Sequence, residues 1–377
     1  MVAINKVIRL ALSDAGSTAA LGVNLTNDEI TAKREAGIQG LLLKGSVAVG
    51  GVCHDYSGNI YVTDWYRHCI LKIDEGGRIS IFSGLPGTSG DVLATTDIRD
   101  ARYNDPRGIV CDKSGNIYVA DKGNSKIKII NSKGVNVLAG SSVGNVDGNG
   151  STAKFNKPYG IAVDKAGTVY VADTGNHSLR RVRPNGDVLT LAGSGTAGDS
   201  ENVQGNNYTN TFSSPEDLTV DPQGNVYILD TGNVKIKKYT VNGWVYLHSG
   251  TGVAGNSLGT ASASTTYAYT CTYETLVSCD ADESGNIYVI DNGNNGRGNA
   301  TRLVKVDYNG RPGNVANFGA TTSNLIVNAV MCTPGQKLLV TISNSGEDNS
   351  SSSSMDSSSS SSVDSSSTSS SSSSSGQ

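Results

Sequence analysis

Asp112-Lys-Ser-Gly-Asn-Ile-Tyr-Val-Ala-Asp121 is the stretch that decides the architecture, because the chain writes it again and again. Close copies are Asp55-Tyr-Ser-Gly-Asn-Ile-Tyr-Val-Thr-Asp64, Asp221-Pro-Gln-Gly-Asn-Val-Tyr-Ile-Leu-Asp230 and Asp282-Glu-Ser-Gly-Asn-Ile-Tyr-Val-Ile-Asp291. Asp164-Lys-Ala-Gly-Thr-Val-Tyr-Val-Ala-Asp173 differs at one place, and Pro334-Gly-Gln-Lys-Leu-Leu-Val-Thr341 is a decayed sixth. The motif tyrosines Tyr61, Tyr118, Tyr170, Tyr227 and Tyr288, followed by Leu338, are spaced 57, 52, 57, 61 and 50 residues apart. Repeats of this length are whole supersecondary units that bury their faces against one another.

One period reads as four strands. Gly108-Ile-Val-Cys111 runs into a turn whose Asp112 can bond the backbone and whose Gly115 can take positive φ. Ile117-Tyr-Val-Ala120 alternates faces with period two. A second turn, Asp121-Lys-Gly-Asn124, leads to Lys126-Ile-Lys-Ile-Ile130, and Val135-Asn-Val-Leu-Ala139 is the fourth strand. Four antiparallel strands repeated about six times predict a six-bladed all-β propeller over residues 46–346. A β-solenoid has shorter periods and loses the comparison.

The composition agrees. The 377 residues include 46 Gly and only 17% charged side chains, as many short strands and tight turns require. A formal charge of −4 argues against an electrostatic nucleic-acid binder. Cys53, Cys69, Cys111, Cys271, Cys279 and Cys332 have no CxxC pair; three precede the repeated turn on an apolar strand, so the reading is free thiols used as small hydrophobes. Lys6 and Arg9 interrupt the apolar N-terminus, and no run is long enough to span a membrane, so a soluble protein, cytoplasmic or virion-associated, is expected.

The linkers add a second signature. Phe155-Asn-Lys-Pro-Tyr-Gly-Ile-Ala-Val-Asp164 and Asp173-Thr-Gly-Asn-His177, with Asp105-Pro-Arg-Gly108 and Ser214-Pro-Glu-Asp217 in the same place, resemble the NHL-repeat family of six-bladed propellers over roughly residues 45–345. That resemblance implies a fold; the similar propellers include binding modules and a minority of lyases and lactonases.

After Asn344 no third strand like Lys126–Ile130 follows, and an open ring would expose sheet edges. Asn5-Lys-Val-Ile-Arg-Leu-Ala-Leu12 has the missing strand's character, so residues 1–20 are expected to close the ring. Residues 21–45 read as a linker with a short helix over Thr26–Gly37, and the Ser-rich 347–377 as a disordered tail.

Repetition separates scaffold from function. The column Asp64, Asp121, Asp173, Asp230 and Asp291 recurs in every clear blade and reads as structural, as does His177 in its turn. Lys126, Lys128, Arg180, Arg181, Arg183, Lys235, Lys237 and Lys238 on third strands read as a solvated, edge-protecting face. His54 and Asp280 are the ionisable intruders in the first-strand columns, and both blades neighbour the sixth, which suggests a polar seam. Arg107, Tyr159 and Glu216 fall between the Pro and Gly positions that open the inner strands, and form the candidate binding residues at a channel mouth.

These residues support a non-enzymatic scaffold that binds a protein or carbohydrate partner, with no cofactor, no metal and no catalytic residue expected. Two alternatives stand: a structural component of a viral or phage particle, and a metal-dependent lactonase or lyase using Glu216 and Asp280. The four histidines lack paired spacing, which weakens the second. The ligand and oligomeric state are not written in the sequence.

Overall fold

In the computed structural model, the described residues are 8–10, 48–74, 79–201, 209–258, 271–293, 301–317, 325–333 and 337–344. The expected helix over 26–37 and the Ser-rich tail lie outside them.

After β1 (Ile8–Leu10), the chain forms five four-stranded antiparallel meanders. Blade 1 is β2 (Val49–His54), β3 (Ile60–Asp64), β4 (Cys69–Ile73) and β5 (Ile79–Ser83). Blade 2 is β6 (Pro106–Cys111), β7 (Ile117–Asp121), β8 (Lys126–Asn131) and β9 (Gly134–Ala139). Blade 3 is β10 (Pro158–Val163), β11 (Val169–Asp173), β12 (Ser178–Val182) and β13 (Val188–Ala192). Blade 4 is β14 (Asp217–Val220), β15 (Val226–Asp230), β16 (Lys235–Tyr239) and β17 (Val245–Ser249). Blade 5 is β18 (Leu276–Ala281), β19 (Ile287–Asp291), β20 (Arg302–Val306) and β21 (Pro312–Asn317).

The expectation of a six-bladed propeller is corrected: among the described residues five blades are four-stranded, and the last sheet is not a sixth of that kind. Among the described residues it has three strands, in the order β1, β23 (Lys337–Asn344), β22 (Leu325–Thr333). β1 joins β23 with Ile8 opposite Thr341 and Leu10 opposite Ser343, but it runs parallel, whereas the third strand of every four-stranded blade is antiparallel to its second. The inner strands touch in the order β2, β6, β10, β14, β18, β22 and back to β2.

The repeated motif explains each blade. Asp112 Oδ1 accepts the amides of Ser114 and Asn116 at 2.8 and 2.9 Å, and Oδ2 accepts Asn116 Nδ2 at 2.7 Å and the Tyr118 hydroxyl at 3.0 Å. Gly115 takes φ +80 inside that turn, a left-handed conformation that glycine adopts without steric cost. The same four contacts recur at Asp55, Asp221 and Asp282. The motif tyrosine thus buries its ring and delivers its hydroxyl to the turn that begins its own strand. Between blades sit separate apolar clusters, such as Tyr118, Ile127, Phe155, Val169 and Val182 between blades 2 and 3. Cys53, Cys69, Cys271 and Cys279 are buried and Cys111 is partly buried.

The closing aspartate of the motif ties each blade to the linker before it. Asp121, Asp173, Asp230 and Asp291 are buried and accept the backbone amides of Asn104, Asn156, Ser213 and Glu274 at 2.6–2.8 Å. Each also meets a cation: Lys128 at 2.7 Å, Arg180 at 2.7 Å, Lys237 at 2.9 Å and Arg302 at 2.8 Å. The solvated-face reading therefore fails for Lys128, Arg180 and Lys237, which are 0% exposed. The linkers fold over them and add Asp91, Asp147 and Asp199, together with the carbonyls of Arg102, Lys154 and Thr211.

Candidate functional site

A cavity of about 180 Å³ runs along the inner strands. Cys53, Val110, Ala162, Thr219 and Asp280, which lie in register opposite the five motif tyrosines, all line it. Glycines let the strands crowd at its wall: a Cβ on Gly108 would sit 2.6 Å from the Tyr159 carbonyl. Among the described residues no helix is long and apolar enough to cross a membrane, and no three His, Cys, Asp or Glu side chains are grouped to hold a metal.

Of the sequence-predicted residues Tyr159 lines this cavity, and Arg107 and Glu216 directly precede its lining residues Gly108 and Asp217. Arg107 and Tyr159 fall where β6 and β10 shift register against β7 and β11, at bulges that re-aim side chains. The Arg107 guanidinium donates to the Tyr159 hydroxyl at 3.1 Å and to Asp105 at 2.6 Å. It lies between two rings, with its carbon 4.3 Å from the Trp65 centroid and 5.1 Å from that of Tyr159. Lys122 sits 5.3 Å from the Tyr159 centroid and pairs with Asp105 at 2.7 Å. Glu216 lies beside them; burial raises its carboxyl, and Lys122 and Arg107 pull it back down. Burial likewise raises the Tyr159 phenol.

Arg107, Tyr159 and Glu216 thus share one cluster, and Trp65 and Lys122 are the members that sequence reading missed. Trp65 had a usable signal: it directly follows the closing Asp64 of its motif, where the other clear repeats carry Lys122, Thr174, Thr231 and Asn292. Next to it Tyr66 is 63% exposed and meets the Trp65 ring edge-on.

His54 and Asp280 both line the cavity. Asp280 accepts the Thr219 hydroxyl of blade 4 at 3.0 Å, and His54 contacts the carbonyl of its neighbour Asp55. A further carboxylate, Asp217, was passed over because it sits where the linker motif carries Gly. Its Oδ2 accepts the Cys279 amide of blade 5 at 3.0 Å. Burial, with a smaller push from Asp280, raises Asp217 to about 7 against the downward pull of the Cys279 and Leu218 amides and the Ser278 hydroxyl. His177 is structural: from a left-handed turn its Nδ1 accepts the Ser214 amide at 3.0 Å, and His68 repeats the contact with Asp105 at 3.1 Å.

Comparison with known proteins matches residues 140–337 to the Teneurin NHL domain and residues 103–130 to the NHL repeat. NHL repeat-containing protein 2 of Gallus gallus is 38% identical over 135 residues, which cover 32% of this chain and 18% of that protein. Teneurin-3 of Mus musculus is 25% identical over 217 residues, covering 51% of this chain and 8% of that one. Among solved structures, a gluconolactonase from Xanthomonas campestris superposes with a TM-score of 0.51 at 13% identity, covering 77% of this chain and 82% of its own, a likeness of fold alone.

Proposed function

The chain belongs to the NHL-repeat family, and from that premise we propose that it is a non-enzymatic binding propeller whose channel mouth engages a protein partner. The observation that carries this reading is the stack Trp65–Arg107–Tyr159–Lys122 beside Glu216. Trp, Tyr and Arg dominate interface energetics because they bury large, rigid surface and still offer polar tips. Here they are held in place before any partner arrives, which lowers the ordering cost of association. The stack interrupts a fold that otherwise repeats itself, so its residues are not needed blade by blade for stability.

The test compares capture of partners by the intact chain with capture by an Arg107→Ala/Tyr159→Ala/Glu216→Ala variant of unchanged circular dichroism. Loss of a specific captured protein by at least tenfold is expected. Equal capture by both chains overturns the reading, and a bound species that survives protease treatment of the sample assigns a carbohydrate instead.

We further propose that β1 completes the ring by covering the edge of β23. The pairing of residues 8–10 with 341–343 supports it, because an uncovered edge strand invites association. Removal of residues 1–13 is expected to lower the melting temperature by about 5 °C or more; an unchanged melt sinks the closure.

A further inference from the structure

His248 stands apart from the other histidines. It is 6% exposed on β17, and its ring meets Tyr227 edge-on with centroids 4.8 Å apart. Its Nε2 is buried with no hydrogen-bond partner among the described residues, and its ring is held by the backbone of Asp307 in the turn between β20 and β21. His248 therefore joins the outer strand of blade 4 to blade 5. Tyr227 in turn belongs to the apolar cluster between those blades, with Leu229, Tyr273, Ile287 and Val304.

The charges around it are already committed. Lys238, from β16, places Nζ over the same Tyr227 ring at 4.8 Å. The Asp221 carboxylate is taken up by Asn225, the Tyr227 hydroxyl and two backbone amides. The Asp307 carboxylate accepts the amides of Asn309 and Arg311 at 2.9 Å.

We propose that His248 is an acid-sensitive latch: neutral, it fills the seam between blades 4 and 5; protonated, it forces that seam open. Protonation puts a second cation beside Lys238 on one buried ring, with Nε2 carrying a proton that no group among the described residues accepts. A buried charge without a partner is expelled rather than tolerated. Burial, helped by Lys238 and opposed by the weaker pull of Asp307 and Asp221, brings the imidazole down to about 4. A histidine released to solvent titrates near 6.5. The latch's contribution to stability is therefore complete above about pH 6.5 and is lost as pH falls toward 4. His68 and His177 accept amide protons at other linkers, away from β17.

Hydrogen exchange of the full chain between pH 7.5 and 4.5, corrected for intrinsic rates, tests the latch. Peptides covering Val245–Ser249 and the 307–311 turn are expected to lose protection at least tenfold below pH 6, while β8 keeps its own. His248→Phe and His248→Gln are expected to abolish that local loss. The same loss in both variants, or one spread evenly over all blades, overturns the proposal. Should neither variant fold, NMR titration of the wild-type imidazole decides: titration near 6.5 in the folded protein overturns the latch, and titration below 5 together with local exchange supports it.

Discussion

The propeller uses buried aspartate in two regions with opposite electrostatics. At the outer motif ends, Asp121, Asp173 and Asp230 each face a fully buried lysine or arginine, and linker acids and carbonyls take up further donors of the cation. Along the cavity, Asp217 and Asp280 meet amides and hydroxyls of the neighbouring blade, and among the described residues no lysine or arginine lines that cavity. The outer device repeats and locks blades to linkers. The inner one joins blades 4 and 5, and there amides and a hydroxyl hold Asp217 where a cation holds the outer acids. The difference teaches which acids belong to the scaffold: those that come with their own cation from blade to blade.

Blade 1 shows what happens without the cation. Leu71 occupies the register position of Lys128, Arg180 and Lys237, and Asp64 turns to Arg67 of the adjoining turn at 3.0 Å. Blade 5 keeps the pair but supplies Arg302 from the place opposite Asp291 itself. The requirement is thus for a charge at a point in space, and two backbone positions can meet it.

The largest expected effect breaks the outer device. Asp173→Ala strands Arg180 as a buried cation that has lost its buried partner, and is expected to cost about 3–5 kcal/mol in urea unfolding. A loss under about 1 kcal/mol would put the lock elsewhere.

Asp217→Asn sharpens the contrast at intermediate size. The folded-state value of about 7 lies above that of an ordinary aspartate, so folding favours the protonated acid. The wild-type contribution is full below about pH 4 and is lost as pH rises toward 7. The replacement amide keeps an acceptor for the Cys279 N–H and never ionises, so the variant is expected to gain about 2 kcal/mol over wild type at pH 8 and nothing at pH 4. A pH-independent difference between the two unfolding curves would refute a carboxylate held without a cation.

The smallest effect belongs to blade 1. Asp64→Ala releases Arg67, which already reaches solvent, so a loss of about 1 kcal/mol is expected, well short of that at Asp173. Equal losses at the two positions would erase the distinction between a fully buried cation and a partly exposed one.

Much of this was legible in one dimension. The repeated Asp-x-x-Gly-Asn-x-Tyr phrase encodes strand, turn and strand through local contacts no more than six residues apart, such as Asp112 with Tyr118. Short-range chemistry of that kind survives translation into a string. The interruptions at Arg107, Tyr159 and Glu216 were legible for the same reason, as departures from a repeat. The parallel course of β1 against β23 was not, since nothing in three residues records the direction of a partner more than 300 positions away.

The sequence by itself determined a propeller of repeated blades, because each turn motif and alternating strand carries its own local instructions. Only the tertiary structure decided that Lys128, Arg180 and Lys237 are interior, that Trp65 and Lys122 join Arg107, and that Asp217 and Asp280 stitch blade 4 to blade 5. The physical reason is common to all three. Burial and pairing there depend on where a linker or a neighbouring blade passes overhead, and contacts of 26 to 62 residues' separation are not written in the local pattern of either partner.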